Sequence, residues 1–203
     1  MDVTTKISLT QALSNAISYH QYLNLVKIMA IEGKSTGNDT SEAYVNYTKL
    51  NAKRMQRWDK TLRFDDEVIN KIKSVYVKVN WLVLTESWCG DASPALPVMN
   101  KISELNPNIT LKVVIRDEHP ELMRHFLTNG AMSIPKLIQL EPETQRVLGT
   151  WGPRSTKATH LVDAFKKEHG ALTAEFRESL QIWYNKDKGQ SILQDLLNLL
   201  SLE

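Results

Sequence analysis

The 203-residue chain contains one cysteine, Cys89, and only 8 glycines and 7 prolines. A lone cysteine excludes an intramolecular disulfide and any cysteine-rich zinc site, and it fits a reducing compartment. An excess of charge is missing too. The 25 Lys and Arg side chains against 23 Asp and Glu leave a formal net charge of +2, too small to imply a nucleic-acid partner. No uninterrupted apolar stretch approaches the roughly 20 residues that span a bilayer, so no membrane contact is expected. The opening MDVTTKISLTQAL has no basic segment leading into an apolar one, and the expected location is cytoplasmic. In that location the sequons at Asn38, Asn46 and Asn108 carry no sugar. The five histidines, His20, His119, His125, His160 and His169, show no metal-ligand spacing, so no metal is expected. The GKST segment at Gly33 lacks the upstream glycine of a phosphate-binding loop and follows a helix, so it reads as a linker.

What is present is ordinary globular material, 42% hydrophobic and 24% charged, enough for one sizeable domain with additions. Residues 8–32 carry apolar positions at helical spacing, with Ser8 and Gln11 as a capping box. A second helix is expected from Thr40 or Ser41 to residue 61, with Tyr44, Tyr47, Met55, Trp58 and Leu62 inward. Its other face carries the basic stripe Lys49, Lys53, Arg57 and Lys60, which reads as a solvated surface. Asp65 or Asp66 caps a short helix. Residues 75–84 (VYVKVNWLVL) then suit a buried central strand. A helix over 92–105 containing Pro97, a strand over 110–116 and a helix over 120–127 follow. Two short strands, 136–140 and 146–150, are close enough for a hairpin. Helices over 156–168 and from residue 173, with a break near Lys188 and Gly189, complete the chain. The organisation read from this order is a helical extension (1–74), an α/β core (75–168) and C-terminal helices (169–203), folding as one unit. The leucine-rich end, 192–202, packs either on the domain or in a homodimer.

The chemistry concentrates in TESWCGDA, residues 85–92. Cys89 follows the buried strand and opens a helix, where unsatisfied amides and the helix dipole favour an anion. That placement lowers a thiol pKa from about 8.5 toward neutrality. Trp88 supplies a rigid apolar wall, and Gly90 permits close approach of a partner chain.

Trp88-Cys89-Gly90 after a strand, Pro97 inside the next helix, and Ser133-Ile134-Pro135 opening a later strand together resemble the thioredoxin superfamily over residues 75–168. The helical N-terminal extension and the WCGDA variant are similar to a group of bacterial thioredoxin-like proteins. The resemblance implies a three-layer α/β/α domain around a mixed sheet. It also implies that Pro135 is cis, faces Cys89, and keeps metals and a competing N–H from the thiol. Ile134 would offer its backbone to an extended substrate segment.

The departures from that pattern bear on function. Ala92 stands where the resolving cysteine belongs, so a mixed disulfide on Cys89 cannot be released by a second thiol of this chain. Val83 stands where the family carries a buried aspartate. Glu86 and Asp91 flank Cys89, and carboxylates raise a thiol pKa; Asp91 also suits a helix cap. The leading expectation is monothiol disulfide exchange at Cys89. No cofactor is expected beyond glutathione or another low-molecular-weight thiol as co-substrate, and the partner is a protein or small-molecule thiol or disulfide. The alternative is a non-catalytic module that binds protein in the cis-proline groove. Trp151 and Arg154, after the last strand, border that face as groove contacts, or else pack in the core and lie on the surface respectively.

Overall fold

The computed structural model describes residues 2–39 and 41–201. Helix α1 (Val3–Asn15) starts where the Asp2 carboxylate accepts the Thr5 amide at 2.8 Å. The chain then leaves helical geometry for three residues. Ile17 exchanges two backbone hydrogen bonds with Val113, at 2.9 and 2.8 Å, before α2 (Tyr19–Glu32) begins. The single helix expected over 8–32 is therefore two. The capping box is formed by Ser18 and Gln21 rather than Ser8 and Gln11, because Ile17 spends its backbone groups on an otherwise unpaired sheet edge.

Helix α3 (Glu42–Thr61) buries Met55 and Trp58 and leaves Lys49, Lys53, Arg57 and Lys60 exposed. Thr40, one of its two expected starts, lies outside the described residues. Helix α4 (Asp66–Lys73) is capped by Asp65.

Strand β1 (Val79–Thr85) is shorter than expected at its start. Its pairing begins at Val79 opposite Ile109 of β2 (Ile109–Ile115). Upstream of that pair no strand is available, and Tyr76 is 87% exposed. Helix α5 (Ala92–Leu105) carries Pro97 inside it. Helix α6 (Pro120–Arg124) is a single short turn rather than reaching residue 127. Strands β3 (Lys136–Leu140) and β4 (Val147–Trp151) form the hairpin. Helices α7 (Thr156–His169), α8 (Ala174–Asp187) and α9 (Gln190–Leu199) close the chain.

The four strands lie in the order β2-β1-β3-β4, with β1 parallel to β2 and the other pairs antiparallel. This is the mixed sheet with helices and helical extensions that the element order predicts. Central β1 buries Trp81, Leu82, Val83 and Leu84 completely, each contributing about 1.5–3 kcal/mol. Residues paired directly across antiparallel strands share a sheet face. Trp81 lies opposite Gln139, and Leu137 opposite Trp151. The Trp81 indole donates to Gln139, whose amide donates to the Leu199 carbonyl. Trp151 donates to Asp195 at 3.1 Å. These bonds seat α9 on that face, with Ile192, Leu193, Leu196 and Leu197 buried within the chain. Packing on the domain thus accounts for the leucine-rich segment up to residue 201.

Candidate functional site

β1 delivers the chain to a tight turn in which the Cys89 amide donates to the Glu86 carbonyl at 3.0 Å, and α5 starts three residues later. Backbone hydrogen bonding from Asp91 and Ala92 favours the thiolate. The Ile134–Pro135 peptide bond is cis, and the Cys89 thiol donates to the Ile134 carbonyl at 3.3 Å. Cys89 and Ile134 thus meet across 45 residues of sequence. Their meeting has a cost for reactivity: Cys89 is only 5% exposed. Burial first, and the Asp91 carboxylate second, push the thiol up to about 12, against the opposing pull of the two amides. The direction is opposite to the one a helix terminus alone predicts, because desolvation penalises the thiolate more than two amides favour it.

Asp91 occupies the N-cap position of α5 but makes no side-chain capping bond there, contrary to the expected capping role. Its Oδ1 accepts the Tyr184 phenol at 2.9 Å, and its Oδ2 pairs with the Arg154 guanidinium at 2.6 Å. Burial raises the pKa of both Asp91 and Tyr184, so the phenol stays a donor. Gln181 donates to the Gly90 carbonyl at 3.1 Å. Gln181 and Tyr184 both belong to α8, so this helix lies across the WCGDA motif. The thiol is enclosed from that side by the protein's own C-terminal portion.

A second polar cluster anchors the other flank. Glu86 is buried, accepting the Thr36 hydroxyl and the Asp117 amide. Ser87 donates its amide to Thr36 Oγ1, and its hydroxyl accepts the Thr36 amide. Asn51 donates to the Ser87 carbonyl at 2.9 Å. The GKST segment therefore clamps the end of β1 rather than serving as a bare linker. Burial pushes the Glu86 carboxyl up despite its donors. Glu86 faces this cluster, and the carboxylate that raises the thiol is Asp91. Trp88 stacks on Tyr44 with ring centroids 4.3 Å apart, carries the Arg116 guanidinium 5.2 Å from its centroid, and donates to the Thr36 carbonyl.

The structure thus brings Cys89, Gly90, Asp91, Ile134, Pro135 and Arg154 together, with Trp88 at the flank. Ala92 is fully buried where a second thiol would stand. Arg154 is no ordinary surface arginine, while Trp151 is buried and turned toward α9. Thr36, Gln181 and Tyr184 are the site residues that the sequence leaves hidden. Tyr184 shares a buried helical face with Leu180, a periodicity that marks it as inward without naming its target. No cluster of three or more His, Cys, Asp or Glu suited to a metal occurs among the described residues.

Comparison with curated proteins returns no match. Two solved structures share the fold. A protein of unknown function from Pseudomonas aeruginosa is 18% identical, with a TM-score of 0.55, covering 75% of this chain and 84% of its own. An HIV epitope-scaffold is 16% identical, with a TM-score of 0.58, covering 91% and 98%. The family profile described as thioredoxin matches residues 37–166, which takes in the buried cysteine turn, the cis-proline and the Arg154 turn. The chain belongs to the thioredoxin family.

Proposed function

We propose that this protein is a thioredoxin-fold binding module that does not turn over disulfides in its closed form. One observation carries the reading: the Cys89 thiol is buried and bonded to the Ile134 carbonyl, and that burial favours its protonated form. A protonated, enclosed thiol is not a nucleophile. Ala92 adds that no second thiol would complete a cycle. The carbonyl that a thioredoxin-like groove would offer to an extended peptide is already taken by Cys89. A protein partner therefore meets the surface beside that groove, where Met132, two residues before Ile134, is 41% exposed. The test is the rate of Cys89 alkylation against pH, with mass spectrometry after exposure to oxidised glutathione. The expected result is a native protein that resists both reagents and reacts only on unfolding. An apparent pKa below about 8 with an adduct reversed by reduced glutathione would overturn the reading.

The polar character of the cover favours a second reading. α8 is held over the motif by Gln181 and Tyr184, and the backbone of Asp91 and Ala92, which favours the thiolate, belongs to the cysteine turn and not to that cover. With the cover displaced, the Cys89 thiolate attacks the glutathionyl sulfur of a mixed disulfide between glutathione and a substrate thiol, taking up the glutathionyl group and releasing the substrate thiolate. A free glutathione thiolate then attacks the Cys89–glutathione disulfide, releasing the Cys89 thiolate and forming oxidised glutathione. Monothiol exchange of this kind predicts that the double variant Gln181→Ala/Tyr184→Ala gains a glutathione adduct absent from the parent. A folded double variant that stays unmodified removes this reading.

A further inference from the structure

Away from Cys89, the C-terminal part of α3 and the turn joining α8 to α9 enclose a cleft of about 380 Å³. Three cations line it, Arg57, Arg63 and Lys188, and no carboxylate does. Among the described residues no Asp or Glu oxygen lies within 4.0 Å of any of the three. Like charges gathered around one concavity without counterions repel one another, so their arrangement is stabilised by an anion.

The cations are also held in place. Arg57 donates to the Asn185 side chain and lies 6.0 Å from the Trp58 ring centroid. Arg63 donates one Nη1 hydrogen bond to the Leu62 carbonyl at 2.7 Å. Each guanidinium is oriented by one bond and keeps donors for a ligand. Lys188 sits in the left-handed region, φ 53°, as the C-cap of α8, its amide donating to the Tyr184 carbonyl at 3.0 Å. The next residue, Gly189 at φ 78°, brings the turn hard against α5 and α3. A Cβ there would come within 3.0 Å of Val98 and 3.4 Å of Trp58. Substitution there would strain the left-handed backbone and force the turn that carries Lys188, or the side chains against it, to give.

We propose that this cleft binds a small oligophosphate. Guanidinium and ammonium donors match phosphate oxygens, and three cations suit more than one phosphate group. The apolar floor, Trp58 and Leu62, is buried, so no ring is free to stack a base and recognition rests on the phosphates. The first turn of α9 opens on the same cleft at Gln190 and adds the positive end of its dipole.

The experiment titrates the full chain with sodium pyrophosphate, followed by calorimetry and by Trp58 side-chain NMR. The expected result is saturable one-to-one binding with a Trp58 shift. Arg63→Gln and Lys188→Gln should each weaken it about tenfold, or about 1.4 kcal/mol, with Lys188→Arg restoring the affinity and confirming that the turn still folds. The control pair Lys49→Gln/Lys53→Gln, on exposed α3 positions outside the cleft, should bind as the parent does. Absence of saturation, equal weakening in the control pair, or binding only to phosphatidylglycerol vesicles would overturn the proposal.

Discussion

Tyr184 and Asp91 stand 93 residues apart in sequence, and the phenol of one donates a 2.9 Å hydrogen bond to the carboxylate of the other. Through that bond a helix outside the α/β core closes over the cysteine turn. Asp91, a neighbour of Cys89 by chain connectivity, is thereby committed to Tyr184 and Arg154 instead of to the start of α5.

Tyr184→Phe deletes the phenol hydrogen and leaves Asp91 to Arg154 alone. The expected cost is about 1–3 kcal/mol, because a buried carboxylate loses a donor. Urea denaturation should show a lower midpoint at unchanged slope. The native alkylation rate of Cys89 should rise with it. A variant as stable as the parent, with an equally slow thiol, would show that α8 is not latched through this bond.

Cys89 makes stability depend on pH in the alkaline range. Its folded value of about 12 lies well above the ordinary thiol value, so the folded protein keeps a proton that the unfolded chain has released. The contribution is intact below pH 9 and is lost as pH rises toward 12, at about 1.4 kcal/mol per pH unit within that window. The stability gap between the parent and Cys89→Ala should therefore narrow as pH rises from 9 to 11. A constant gap would place the thiol in a solvated environment.

Thr36→Val is expected to destabilise the protein by about 1–3 kcal/mol, since Glu86 loses its hydroxyl donor and the Ser87 amide loses its acceptor inside a buried cluster. Thr36→Ser should recover most of the loss. Thermal unfolding of the three proteins at neutral pH separates a polar clamp from simple loop packing, for which valine would serve as well as serine.

Gly152→Ala should fold poorly or not at all. A Cβ at this position, where φ is 112°, would lie 2.1 Å from the Pro135 carbonyl oxygen, and backbone cannot give way as a side chain can. The cost expected is above about 3 kcal/mol, together with loss of the Arg154–Asp91 pair that this turn positions. Gly149→Ala is the milder comparison, its clash being with the flexible end of Leu199.

Much of the architecture follows from local signals. The apolar run of β1, the proline inside α5, the short span between β3 and β4, and the break at Lys188 and Gly189 each depend on a few adjacent residues, and each is found close to where the sequence puts it. The placement of one thiol between a strand end and a helix start, beside a proline loop, was equally legible, because chain connectivity alone sets it.

The state of that thiol was decided elsewhere. Periodicity reports which face of a helix is buried but not against what. Nothing in residues 8–32 announces that Ile17 will cover the edge of β2, and nothing around Thr36 announces that it will clamp Ser87, 51 residues away. The sequence by itself determined the elements, their order and the absence of a resolving cysteine. Only the tertiary structure decided that α8 returns to seal Cys89 in a low-dielectric pocket beside a carboxylate, because desolvation is a property of everything packed around a group and not of its neighbours along the chain.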